Sequence, residues 1–487
     1  MTDTQHPVEA DTFIEGPLYA SAKRIYPQRV QGPFRQIKWA ILAVCLIIYY
    51  FLPFVRWDRG PNLPSQAVLL DLEKRRFYFF FIEIWPQEVY YFTGLLIIAA
   101  IVLFLMNSIG GRIWCGYLCP QTVWTDLFLA VERHVEGDRR DRIKLDAAPW
   151  TADKIIKKTI KHFLWIMIAW WTGGAWVLYF SDAPTLVRDL ILFQAPMTAY
   201  IWIGILTFTT YALAGHMREQ VCLYMCPWPR IQAALTDEDA LNVTYRYDRG
   251  EPRMSVKDAK KAVAAGEPAG DCVECLQCVH VCPTGVDIRE GMQLGCIQCG
   301  LCIDACDNVM KKLDRPKGLI GYDTDDAVKL RMKGGTPVYH LMRPRTYIYI
   351  AIIALVGGAM VYQLATRKTA GVAAIHDRTP LFVTLADGSI RNAYTIRLIN
   401  KRPETRDFAI TIDGPTGAQP EIIGVPATAD WRPVVEVGPD QTREVRLIVT
   451  VPKASVTAKS MPITIRAADL FVGENVSVTD NFFGPGN

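Results

Sequence analysis

Five stretches of the chain are apolar for close to the ~20 residues a helix needs to cross a bilayer core. They cover 39–55 (WAILAVCLIIYYFLPFV), 89–109, 163–180, 196–214 and 347–364. Pro196 opens the fourth, at a first helical position that suits proline. Aromatic residues stand near at least one end of each, as interfacial belts require. One such run could be the core helix of a soluble protein. Five predict an α-helical transmembrane bundle. Composition agrees: 51% of the 487 residues are hydrophobic and 21% charged, which excludes a disordered chain or a coiled coil. Segment 77–88 (FYFFFIEIWPQE) is apolar but short and carries Glu83 and Glu88. It reads as an interfacial or re-entrant stretch, or equally as a loop with core aromatics.

Lysine and arginine set the expected orientation. The loop 110–161 holds ten and the stretch 215–346 eighteen, whereas 181–195 holds only Arg188. The loop 56–88, with five, fits the rule less well. The tail 1–38, the loop 110–161 and the region 215–346 are therefore expected in the cytoplasm. After five spans, 366–487 falls on the opposite, periplasmic face. The first apolar run starts late and lacks a small-residue cleavage site, so no cleavable signal peptide is expected.

All thirteen cysteines lie between Cys45 and Cys306. Eight form one cassette, DCVECLQCVHVCPTGVDIREGMQLGCIQCGLCIDAC. Each half reads C-x2-C-x2-C-x3-C. Three cysteines at this spacing wrap one corner of an iron–sulfur cube, and the fourth ligand comes from the other half. One [4Fe-4S] cluster is expected on Cys272, Cys275, Cys278 and Cys306, and a second on Cys296, Cys299, Cys302 and Cys282. Zinc sites use four ligands at other spacings, and disulfides are disfavoured in a reducing cytoplasm. The cassette resembles the bacterial two-cluster ferredoxin module and should form a domain over about 262–315. It departs at Asp307, where proline is usual. That change removes no ligand.

Two more pairs, Cys115/Cys119 and Cys222/Cys226, share the pattern C-x3-C-P, each a few residues past a span and preceded by a basic residue, Arg112 or Arg218. Four-residue spacing predicts both sulfurs of a pair on one helical face. A nearby arginine favours thiolate, which is both nucleophile and metal ligand. Soft thiolates select Cu(I) among redox-active metals, so the four sulfurs are candidates for one metal or redox site. The plainer alternative is four small buried hydrophobes, but packing does not demand identical spacing twice. Cys45, alone inside the first span, reads as packing. Haem finds no support: C-x-x-C-H is absent, and no histidine falls within the expected spans, with His162 and His216 near their ends. Met217 and Met225 could assist copper as thioethers or simply fill gaps.

Beyond the last span the pattern changes to alternation. Runs at 379–385, 390–400, 405–412, 419–425, 431–437, 442–451 and 459–466 predict about seven strands, with turn signals such as Asp387-Gly388 and Gly438-Pro439 between several of them. This fits an immunoglobulin-like β-sandwich without an inter-sheet disulfide.

In this order of parts the chain resembles, over nearly its whole length, the cytochrome c oxidase accessory protein CcoG family, also called FixG or RdxA. NapH-like and NosR-like membrane proteins share C-x3-C-P motifs and ferredoxin cassettes; the terminal sandwich favours the accessory family. The resemblance implies residence in the bacterial cytoplasmic membrane and reduction of Cu(II) to Cu(I) for the copper centre of a cbb3-type cytochrome c oxidase. Copper would be held near Cys115, Cys119, Cys222 and Cys226. Implied partners are a cytoplasmic electron donor, a copper transporter or chaperone and oxidase assembly factors, with no nucleic acid. The rivals are a quinol-linked electron-transfer protein without copper chemistry and a scaffold whose clusters are structural. No nucleotide or flavin motif is evident.

Overall fold

The computed structural model describes residues 24–60, 63–402, 404–425 and 432–485. Residues 1–23 of the expected tail, and residue 431 at the start of one expected strand, lie outside them. The chain divides into two compact units, Met1–Phe51 with Ile98–Leu178 and Asp189–Ile353, and Leu52–Ile97 with Tyr179–Arg188 and Ala354–Asn487.

Among the described residues, four helices are long and apolar enough to cross a membrane: Pro33–Phe54, Tyr90–Gly110, Met197–Met217 and Pro344–Ala365. The remaining expected span, 163–180, falls largely in a longer helix, Ala152–Val177, which is not among them. Its first half carries Lys154, Lys157, Lys158 and Lys161, and its apolar half is rich in tryptophan, which lowers its mean hydropathy. This helix packs on Met197–Thr210. A methyl group at Gly173 would stand 3.0 Å from Ile203 O and Thr207 N, the close backbone approach that small residues allow between membrane helices. The first span also begins earlier than expected, at Pro33 rather than 39.

The stretch 77–88 is regular rather than an irregular loop. It belongs to an antiparallel sheet of β1 (Val68–Asp71), β2 (Arg76–Phe79) and β3 (Ile82–Ile84), in which Val68 faces Phe79 and Phe77 faces Ile84. Its two glutamates are buried with partners: Glu83 lies 3.4 Å from Arg76, and Glu88 lies 2.6 Å from Lys401 and 3.7 Å from Arg367. The expected loop 110–161 is largely helical, with Ile113–Tyr117, Pro120–Glu136 and Arg139–Ala147 before Ala152.

The cysteine cassette is enclosed by an antiparallel pair, β4 (Asn242–Tyr245) and β5 (Ile320–Asp323). Val243, Tyr245, Ile288, Ile303, Met310, Leu319 and Ile320 form one buried core with Cys272, Cys278 and Cys306. The packed module therefore reaches beyond 262–315 on both sides.

The C-terminal region is a two-sheet sandwich. One sheet has the order β10-β12-β8-β6 with β7 on β8, and the other β11-β9-β13-β14. The strands are β6 (Ala370–His376), β7 (Val383–Thr384), β8 (Ile390–Asn400), β9 (Arg406–Asp413), β10 (Gln419–Ile422), β11 (Val434–Val437), β12 (Gln441–Val451), β13 (Ser460–Asp469) and β14 (Asn475–Phe483). Alternation decides which face is inside: Tyr394, Ile396 and Leu398 on β8 and Leu447, Val449 and Val451 on β12 are fully buried. The seven expected strands are present and two more, β6 and β14, flank them. β6 (AGVAAIH) carries small side chains, and β14 (NVSVTDNFF) interrupts its apolar alternation at Asp480.

Candidate iron–sulfur and thiol site

The two halves of the cassette repeat at an offset of 24 residues, and the backbone repeats with them. Glu274 and Leu276 have φ of 52° and 58°, and their equivalents Gln298 and Gly300 have 55° and 73°. Left-handed residues at the same two places bend each loop sharply between its cysteines, at a steric cost for the three that are not glycine. Each loop then enters a helix, Gln277–His280 or Leu301–Lys312.

Cys272, Cys275, Cys278 and Cys306 line one cavity, together with Tyr245, Met310 and Leu319. The other four also gather. Burial pushes the Cys302 thiol well up, and Cys299, Cys296 and Cys282 add to the shift in that order. Val286 N donates to Cys282 Sγ at 3.3 Å. Burial pushes Cys278, Cys296 and Cys306 up to about 12 each. Eight thiols in two quartets fit the donor set of two [4Fe-4S] clusters: Cys272, Cys278, Cys299 and Cys306 are buried, Cys282, Cys296 and Cys302 half-buried, and Cys275 exposed.

The membrane-edge pairs differ from expectation in two respects. Neither lies on one helical face. Cys115 is inside Ile113–Tyr117, but Cys119 is extended (φ −61°, ψ 127°) before Pro120. Cys222 lies in a π-helical turn, Val221–Met225, and Cys226 is again extended (φ −81°, ψ 122°) before Pro227. The cause is shared: proline disfavours the helical region for the residue before it. Nor do the arginines make thiolates. Burial pushes Cys115 up to about 12, reinforced by Cys119, and Arg112 opposes this without winning. Burial pushes Cys222 up to about 11. Arg218 instead reaches Glu132 at 2.8 Å.

The four thiols are nonetheless neighbours. Cys119, Cys222 and Cys226 all act electrostatically on Cys115, and Cys119 and Cys226 on Cys222. Among the described residues no three Cys, His, Asp or Glu side chains are arranged to hold a single metal ion.

The first pair is docked on the loop that carries the second quartet. A Cβ at Gly116 would stand 2.7 Å from Ile297 O and 3.1 Å from Cys299 Cα. Tyr117 Oη donates to Cys299 O at 3.0 Å, and Arg112 N donates to Gln298 Oε1 at 2.8 Å. The Arg112 guanidinium donates to Leu294 O, to Cys296 O at 3.3 Å and to Pro229 O at 2.7 Å, so it joins both pairs to this loop. Cys115 Sγ donates to Gln232 Oε1 at 3.3 Å. The second pair meets the same quartet: Cys222 shares a cavity with Pro283, Thr284 and Ile297. Gly116, Tyr117, Gln232 and Gln298 escape a reading by cysteine spacing. The glycine inside C-G-Y-L-C is the one local signal, because the second pair has Leu223 at that place. Gly116→Ala is expected to cost roughly 1–3 kcal/mol by overpacking, readable as a lower thermal midpoint of the full chain in detergent.

His162 and His216 meet, which their spacing did not indicate. Their rings stack at 5.7 Å with 14° between planes, and Tyr211 Oη lies 2.9 Å from His162 Nδ1. His216 falls inside the spanning helix Met197–Met217, whose end is a π-helical segment. Parallel stacking is not the opposed arrangement of two axial haem ligands.

Comparison with known proteins places this architecture. Residues 217–325 match a 4Fe-4S dicluster domain, residues 92–136 a 4Fe-4S binding domain, and residues 360–485 the Ig-like fold at the C-terminal end of FixG. The nitrogen fixation protein FixG of Rhizobium meliloti is 49% identical over 500 residues, covering 97% of this chain and 95% of that protein. The chain belongs to the FixG/RdxA family. Protein RdxA of Cereibacter sphaeroides is 51% identical over 442 residues, covering 90% of this chain and 92% of its own. Protein RdxB of the same organism is 48% identical over 475 residues, covering 96% and 98%. This FixG/RdxA chain is a multidomain membrane protein that carries iron–sulfur clusters for electron transfer.

Proposed function

We propose that this chain reduces Cu(II) to Cu(I) at its membrane-edge thiols, for the copper centre of a cbb3-type cytochrome c oxidase. Cys272, Cys275, Cys278 and Cys306 hold one cluster, and Cys282, Cys296, Cys299 and Cys302 the other. When bound, these clusters supply electrons one at a time, the number each copper ion needs. The observation that carries the reading is the docking of both thiol pairs on the second quartet: Gly116 and Tyr117 against Ile297–Cys299, and Cys222 beside Pro283 and Thr284. Cys115, Cys119, Cys222 and Cys226 supply soft ligands that favour Cu(I) over Cu(II). Their raised pKa values mean that copper binding must displace thiol protons, so affinity rises with pH.

In this reading the thiol pairs and the cassette face the cytoplasm, where a soluble donor supplies electrons. The sandwich lies in the periplasm. A copper transporter or chaperone and the oxidase assembly factors deliver and receive the metal.

A second reading has its own support. The first pair lies inside the segment 92–136 that matches a 4Fe-4S binding domain. The four thiols would then hold a third cluster rather than copper. Iron analysis of the anaerobically purified full chain decides between them. The copper reading expects about eight iron atoms per chain, and about twelve would replace it with the third cluster.

A further inference from the structure

We propose that a cavity beside the first turn of the helix Pro33–Phe51 binds the phosphate of an anionic phospholipid headgroup. The cavity measures about 750 Å³ and is lined by Arg29, Arg35, Trp39, Arg133, His134 and Asp138, among others. All of these lie in one compact unit. Three arginines line the cavity against one lining carboxylate, Asp138, with Asp126 shared behind Arg35 and Arg133, and Asp138 already accepts from Arg29 N at 2.9 Å. The arginines have capacity to spare. The Arg29 guanidinium makes no hydrogen bond or ion pair among the described residues. Arg35, only 7% exposed, gives Nη1 to both oxygens of Asp126 at 2.9 Å, while its buried Nη2 has no hydrogen-bond partner among the described residues. Arg133 gives Nε to Leu129 O at 3.2 Å, and its Nη2 is 3.9 Å from Asp126. Burial and then the neighbouring Arg35 push Arg133 down to about 10, a sign that cations here outnumber anions.

A phosphate would redress that balance through charge-assisted hydrogen bonds. Free phosphate offers the same chemistry, but the setting favours a lipid. The Arg35 guanidinium lies 4.6 Å over the Trp39 ring, a tryptophan at interfacial depth. From Ile37 onward the same helix exposes Val44, Ile47, Ile48 and Phe51, so the cavity lies where the apolar surface begins. Basic cavities beside spanning helices at that level take anionic headgroups. The proposal does not depend on what the thiols bind.

The test is native mass spectrometry of the full chain in detergent with equal amounts of phosphatidylglycerol and phosphatidylcholine. Phosphatidylglycerol should be retained in preference. Arg29→Gln should lower that preference about fivefold, and Arg29→Gln with Arg133→Gln about twentyfold. Lys260→Gln, on the exposed side of the helix Val256–Ala264, removes the same charge elsewhere and should change nothing. Unchanged iron content shows that each variant is folded, and Arg29→Gln removes no side-chain hydrogen bond or ion pair among the described residues. Equal retention of the two lipids, or a preference that survives both arginine variants, would overturn the site. Displacement of phosphatidylglycerol by millimolar inorganic phosphate, with the phosphate alone raising the thermal midpoint, would overturn the lipid as occupant.

Discussion

Replacing Cys115 and Cys119 together by serine is expected to weaken copper binding by about 100-fold or more while leaving the iron content unchanged. The estimate is a lower bound, because the loss of a mere outer-shell partner already costs ~10–100-fold in metal affinity. The change removes two soft donors and keeps the shape. A serine hydroxyl at 115 can still donate to Gln232 Oε1, and the backbone around Thr122, whose hydroxyl donates to Cys115 O and Cys119 O at 2.7 and 2.9 Å, is untouched. Competition against a Cu(I) chelator measures the affinity and elemental analysis the iron. Copper binding at the parental level would remove these thiols from the metal site. A fall in iron by about a third would instead favour the third cluster.

The second large effect concerns Glu132, which is fully buried on the helix Pro120–Glu136. Its carboxylate meets Arg218 at 2.8 Å, Arg142 at 3.3 Å, Arg24 at 3.4 Å and Lys161 at 3.8 Å. Glu132→Gln keeps the shape and strands Arg142 and Arg218, both buried, whereas Lys161 keeps Glu136 and Arg24 keeps Asp146, each at 2.8 Å. Breaking a buried pair in this way costs about 3–5 kcal/mol. The pH dependence follows. Burial alone would raise the Glu132 pKa, but Arg218, Arg142, Lys161 and Arg24 together hold it below the usual carboxylate value. A carboxyl with a depressed folded-state pKa stabilises fully above its unfolded value of about 4.3 and loses that contribution as pH falls through the lower, folded value. Thermal midpoints of parent and variant should therefore differ most near neutral pH and converge in strong acid. A constant gap across pH would contradict this account of Glu132.

How much of this was legible in the sequence depended on whether the signal was local. The two cysteine quartets were, because C-x2-C-x2-C-x3-C is a statement about one short loop and its twin. The spans at 89–109 and 347–364 were, because their hydropathy is uninterrupted. The helix Ala152–Val177 was not a clear case, since lysines and tryptophans dilute its apolar half. The same-face expectation for the thiol pairs fails at Pro120 and Pro227, which disfavour the helical region for the second cysteine of each pair. The strands in segment 77–88 were not legible because its two glutamates answer to Arg76, Arg367 and Lys401, up to hundreds of residues away. Glu132 drew no notice for the same reason, its partners being spread from Arg24 to Arg218. The thiol pKa values depend on burial, which no spacing reveals.

The central claim is that electrons stored on the chain go to copper, and anaerobic stopped-flow tests it most directly. The full-length protein is reduced, freed of excess reductant and mixed with Cu(II), and iron–sulfur absorbance is followed. The account predicts rapid reoxidation with about one Cu(I) formed per electron withdrawn, and its slowing in the Cys115→Ser/Cys119→Ser variant. Clusters that stay reduced in the presence of Cu(II), while an added quinone reoxidises them, would contradict it.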